Sequence, residues 1–259
     1  MPTSKMLKER SFFMEEAKRI VKLAQEKEIP LRVMGACAIA IHSGQYENSL
    51  YDKLNRQLSD LDFMTTAGRD KTKAFFTELG YIPRDRFLAI MEEVRHIYDN
   101  EQTGLTADVF FNELSMCHKI DFRDRLLIDY LTISPADILL EKLQIVKIST
   151  KDVVDLVILL IGHDVGGDDR DKINSKYVAH LLSDDWGFYY TVTTNLTKIR
   201  DQFLSGFSGL TEYDRDIVKP RIDNLLTALE QEPKSFKWKM RAKLGPKKIW
   251  YQEVEEVER

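Results

Sequence analysis

The hydrophobic period changes near residue 133, and that change limits the folds open to this chain. Upstream, short segments carry strand signals. They are Leu31-Arg32-Val33-Met34, Ser59-Asp60-Leu61-Asp62-Phe63-Met64-Thr65, Tyr81-Ile82-Pro83, residues 87–98 and Thr106-Ala107-Asp108-Val109-Phe110-Phe111. Helical spacing separates them at 3–28, where Phe12, Phe13, Ala17, Ile20, Val21 and Ala24 recur, and at 69–79, which stops at Gly80. Residues 36–41 read as a short buried helix, and the polar stretch 43–57 as a mobile loop. Downstream, helical patterns follow one another over 135–147, 151–161, 173–183, 185–204 and 211–230. Ser134-Pro135 reads as a helix cap followed by proline at the first helical position. The expected class is α+β: a small mixed sheet flanked by helices, then a mainly helical half. The expected divisions are 1–133, 134–232 and a tail at 233–259.

Composition narrows the function classes. With 43% hydrophobic and 31% charged residues over 259 positions, the chain can bury a core and is not expected to be disordered. Its net charge of −4 gives no support to a protein that coats duplex nucleic acid. The two cysteines, Cys37 and Cys117, have no metal-ligand spacing and suit a reducing compartment. No stretch has the apolar length of a signal peptide or a membrane span, so a cytoplasmic location and no membrane partner are expected.

The chemistry concentrates on Asp60 and Asp62. Residues two apart on a strand share a face. Two ionised carboxylates side by side repel each other, and a divalent cation relieves the repulsion. Carboxylate oxygens suit Mg²⁺ or Mn²⁺. A D-x-D pair alone also arises on plain surface strands. Three further features add to it: Gly35 at a strand-to-helix turn, Asp108 in another apolar strand, and Arg56 shortly before the acid pair.

The order of strand, glycine turn, helix, D-x-D strand and later aspartate strand resembles the nucleotidyltransferase fold of the DNA polymerase β superfamily. The resemblance lies in Gly35, Ser59-Asp60-Leu61-Asp62-Phe63 and Ala107-Asp108-Val109-Phe110. It extends to Pro135–Leu143 and Lys151–Leu156, which look like the helical stretch of bacterial, toxin-like (abortive-infection) nucleotidyltransferases. The resemblance implies that Asp60, Asp62 and Asp108 bind two divalent ions and carry catalysis. It also implies that Gly35, Ala36, Arg56, Ser59 and Lys142 contact the nucleotide. The implied reaction moves a nucleoside monophosphate from a nucleoside triphosphate to a hydroxyl on protein, RNA or a small molecule, releasing pyrophosphate. The family turn normally reads Gly-Gly or Gly-Ser, whereas Ala36 and Cys37 follow Gly35 here. That missing hydroxyl leaves open a non-catalytic binding protein, beside the toxin component of a toxin–antitoxin pair with an antitoxin-like partner.

Other features have plainer readings. Lys142 reads equally as a phosphate contact or a solvated lysine. Lys151, Asp152 and Asp155 read as a cap and an ion pair, and Cys117-His118 as a structural pair. His42, His96, His163 and His180 are scattered, and 163–172 reads as an acidic loop. The tail interleaves Lys234, Lys237, Lys239, Arg241, Lys243, Lys247 and Lys248 with Phe236, Trp238 and Trp250. RNA is a possible partner there, but an arm docked on its own domain or a partner is the favoured reading.

Overall fold

A computed structural model describes residues 9–84 and 94–254. Helix α1 (Arg10–Glu26) buries Phe13, Ala17, Ile20, Val21 and Ala24 on one face. Strand β1 (Leu31–Met34) follows Pro30 and runs directly into α2 (Gly35–His42). The expected loop at 43–57 is largely a helix, α3 (Gln45–Lys53). Its composition is polar, but Leu50 and Tyr51 are wholly buried, so tertiary packing overrides the weak local signal.

Strand β2 (Leu61–Thr65), helix α4 (Arg69–Glu78) and strands β3 (Ile82–Pro83), β4 (Arg95–Asn100) and β5 (Leu105–Phe111) complete the first half. The sheet order is β1-β2-β5-β4-β3, with β2 and β5 parallel and the other pairs antiparallel. The strand expected at 87–98 is described only from residue 94; its earlier part lies outside the described residues. A hairpin of β6 (Glu113–Ser115) and β7 (Lys119–Asp121) follows, which the periodicity did not show.

The chain then returns to the free edge of β1. Val33 N–H donates to Leu131 O, and Ile133 N–H donates to Val33 O. That edge segment leads directly into the next helix, which packs against α2. Ser134 caps α5 (Pro135–Leu143), its side chain accepting from Asp137 N, with Pro135 in the first turn. A capping box between Ser149 and Asp152 opens α6 (Thr150–Gly162). A short parallel bridge, β8 (Val165–Gly166) with β9 (Ile173–Asn174), lies within and just beyond the acidic loop.

Helices α7 (Ser175–Leu182), α8 (Trp186–Lys198), α9 (Glu212–Gln231) and α10 (Phe236–Leu244) follow. One continuous apolar core runs from α1 through the sheet to α9. The tail folds back: Trp250 Nε1 donates to Thr191 Oγ1 at 3.0 Å, and Gln252 N–H donates to Cys117 O at 2.9 Å. Among the described residues, no helix is long and apolar enough to cross a membrane.

Asp155 on α6 joins three segments. Its wholly buried carboxylate accepts both Nε and an Nη of Arg56, at 2.7 and 2.8 Å, and lies 3.1 Å from Lys142 Nζ on α5. Removing this acid leaves two cations without their buried counter-charge, which costs about 3–5 kcal/mol. Asp155→Ala should therefore lose stability on that scale in urea unfolding. A loss under about 1 kcal/mol would show that the hub contributes little.

Candidate active site

Register brings the central acids together. Asp62 on β2 is the direct partner of Asp108 on β5, and Met34 on β1 is the direct partner of Asp62. Partners in adjacent strands project to the same face, about 5 Å apart at the backbone. Asp108 is 2% exposed, whereas Asp62 is half-buried. Leu61 and Phe63 have no exposed surface and hold the strand in place. Asp60 lies at the entry to β2, half-buried, and its Oδ1 accepts from Ser59 Oγ at 2.9 Å.

The Gly35 backbone lies against the Asp62 carboxylate. Its φ of +68° suits glycine, and a Cβ there would collide with Asp62 Oδ2 and stand 3.2 Å from Asp62 Cγ. Both the turn and the approach of Asp62 therefore require glycine. Ala36 follows in the first turn of α2. No side chain within the turn caps that helix. Instead, Gly35 N–H donates to Glu141 Oε2 at 2.9 Å, so a carboxylate from α5 takes the cap position.

Positive charge balances the cluster. Arg95, on β4, is two residues from Ile97, the register partner of Asp108, and therefore lies diagonal to that acid. Its guanidinium forks onto the Asp108 carboxylate, with Nε 2.7 Å from Oδ1. Lys142 lies beside Glu141, and its Nζ reaches Asp152 at 3.3 Å and Asp155 at 3.1 Å. Burial works against its charge, but Asp155, Glu141 and Asp152 outweigh that and raise its pKa.

The acids respond as a crowded buried set must. Burial, then Asp108 and Glu141, push Asp62 up to about 8, against the pull of Lys142 and Arg95. Burial lifts Glu141 to about 7. Burial also raises Asp108, although Arg95 opposes it.

Of the residues singled out in the sequence, Gly35, Ala36, Asp62, Asp108 and Lys142 converge, with Ser59 and Asp60 at the strand entry. Arg56 stands apart, linked to Lys142 through Asp155. It lines a cleft of about 540 Å³ with Arg10, Asn48 and Asp52, and none of the three candidate aspartates lines that cleft. Glu141 and Arg95 were not singled out. Nothing local set Glu141 apart from Asp137 and Lys142 in the same helix. Asp62 and Asp108, register partners on adjacent strands, offer hard oxygen ligands suited to a divalent cation, but Asp60, Asp62 and Asp108 do not bring three ligand atoms within 4.8 Å of one another among the described residues. A cation at Asp108 would have to share that carboxylate with Arg95 or displace it.

No protein-family model and no curated protein matches the chain. Solved structures resemble it at a distance. The antibiotic-resistance factor ANT(2'')-Ia is 12% identical, with a TM-score of 0.41 over 68% of this chain and 96% of that one. An antigenic nucleotidyltransferase-like protein from Paracoccidioides brasiliensis is 14% identical, with a TM-score of 0.36 over 87% and 94%. A STING-associated CdnE c-di-GMP synthase from Capnocytophaga granulosa is 12% identical, with a TM-score of 0.30 over 85% and 81%. The likeness is one of distant shape.

The raised acids set a pH dependence. Asp62 and Glu141 titrate near 4 when unfolded and near 8 and 7 when folded. A raised folded pKa contributes stability that is fully present below about pH 4 and is lost as pH climbs through the folded values. Chelator-treated protein should therefore lose urea resistance between pH 5 and 9 relative to Asp62→Asn, whose amide stays neutral. Parallel pH profiles for the two proteins would contradict the raised Asp62.

Proposed function

We propose that this chain is a metal-dependent nucleotidyltransferase. It would transfer a nucleoside monophosphate from a nucleoside triphosphate to a hydroxyl acceptor and release pyrophosphate. The observation that supports this most directly is the register pairing of Asp62 with Asp108, with Gly35 pressed against the Asp62 carboxylate.

Asp62 and Asp108 would hold divalent ions such as Mg²⁺ or Mn²⁺, with Asp60 as the third ligand at the strand entry. Such ions, when bound, stabilise charge on the attacking and leaving oxygens of an in-line displacement at phosphorus. The protein's own part is placement. Gly35, lacking a side chain, brings the Asp62 carboxylate against the turn at the α2 N-terminus, where Glu141 now accepts the amide and a phosphate would have to bind. An incoming phosphate group would have to exchange with that carboxylate. Lys142, held at the site by Asp152 and Asp155, brings a fixed positive charge toward the same corner. Asp108, released from part of its Arg95 contact, would orient the acceptor hydroxyl.

Two observations favour a second reading, nucleotide binding without transfer. Arg95 already neutralises Asp108 with a two-point contact, and the turn after Gly35 offers Ala36 and Cys37 rather than a hydroxyl.

Thermal melting of the protein with each nucleoside triphosphate, with and without Mn²⁺, tests the nucleotide site. A ligand that binds only the folded state raises the midpoint by mass action. The expected result is a Mn²⁺-dependent rise with at least one nucleotide, absent from Asp62→Ala/Asp108→Ala. Pyrophosphate release with that nucleotide then separates transfer from binding alone. No shift with any nucleotide would overturn the proposed function.

A further inference from the structure

Histidines far apart in the sequence meet on the opposite end of α2 from the glycine turn. His42 is the last residue of α2, and His163 is the C-cap of α6. Their rings stand edge to face with centroids 5.0 Å apart. Asp171, from the acidic loop, places Oδ1 3.4 Å from His163 Nδ1. One ligand atom from each of His42, His163 and Asp171 lies within 4.8 Å of the others. Asp129, just before the segment beside β1, adds Oδ2 at 3.7 Å from His42 Nε2.

We propose that His42, His163, Asp171 and Asp129 bind one transition-metal ion of the zinc type, separate from the carboxylate pair at Asp62 and Asp108. The donors are two imidazole nitrogens and two carboxylate oxygens, a borderline set that suits Zn²⁺ better than Mg²⁺. Donors at tetrahedral zinc distances lie roughly 3.3 Å from one another, so His42, His163 and Asp171, now within 4.8 Å, need to close by only about an ångström, while Asp129 would have to swing in from the His42 side. His163 is buried and Asp171 is largely exposed, so one side of the cluster is preorganised and the other can close.

The surroundings are consistent with this. His42 Nε2 now shares a 2.6 Å hydrogen bond with Thr132 Oγ1, which a metal would replace. The His42 ring is also hydrogen-bonded to the Ile133 backbone, the kind of outer contact that orients a ligand imidazole. Burial and the neighbouring His163 lower the His42 pKa, against the pull of Asp129 and Asp171. A neutral imidazole is the form that binds a metal.

The ion would tie α2, α6, the acidic loop and the segment beside β1 to one point. Because α2 has eight residues, that point lies about 10 Å along the helix from Gly35. Its role would be structural, fixing the helix that carries the glycine turn.

The test is titration of chelator-treated full-length protein with ZnCl2 against a chromophoric zinc chelator at pH 7.5, with circular dichroism to confirm folding. The expected result is one Zn²⁺ per chain, with a melting temperature raised by zinc. Asp171→Asn should bind at least tenfold more weakly, since it removes an exposed donor without disturbing the core. His163→Gln should abolish stoichiometric binding, and Asp62→Asn/Asp108→Asn should retain it. The proposal is overturned if the parent binds no stoichiometric zinc or if Asp171→Asn and His163→Gln bind as the parent does. Loss of zinc from Asp62→Asn/Asp108→Asn alone would also overturn it, by placing the ion at the other site.

Discussion

Two carboxylates side by side in a buried sheet need positive charge or protons near them, and much of this structure answers that need. Asp62 and Asp108 are register partners, so the strands fix their backbones side by side on one face. Arg95 neutralises one of them from the next strand. Lys142 supplies charge from α5, but a lysine so deeply buried must itself be paired, and Asp155 and Asp152 on α6 do that. Asp155 in turn holds Arg56. A single electrostatic constraint thus passes from the sheet through two helices to the segment after α3.

The same chain of contacts ties the two halves together. The segment 131–133 covers the edge of β1, and Ser134 then starts α5 at an angle that carries Glu141 to the Gly35 amide. The helical half is therefore part of the candidate site rather than an appendage. Glu141 caps α2 in place of a local side chain, which places an acid where the proposed reaction would place phosphate. Under the proposed reaction, phosphate binding would require exchange of this cap.

What the sequence revealed follows from what local patterns encode. Alternation marked β2 and β5, and Ser134-Pro135 marked the start of α5, because period and capping are local. That Asp108 stands beside Asp62 was not deducible. Parallel pairing depends on the intervening crossover, not on either strand. Arg95 was hidden for the same reason, in a strand noticed only for its apolar residues. Helix α3 was missed because its support is Leu50 and Tyr51 packing against distant elements. His42 and His163 looked scattered since no spacing motif relates residues on two different helices.

Calorimetric titration with Mn²⁺ at pH 7, in buffers of different ionisation enthalpy, tests the central claim most directly. An ion binding at Asp62 and Asp108 must displace the proton that burial and neighbouring acids hold on Asp62. The expected result is saturable binding with release of about one proton per ion, both lost in Asp62→Asn. No binding in the parent, or binding that survives unchanged in Asp62→Asn, would contradict a cation site built on this carboxylate pair.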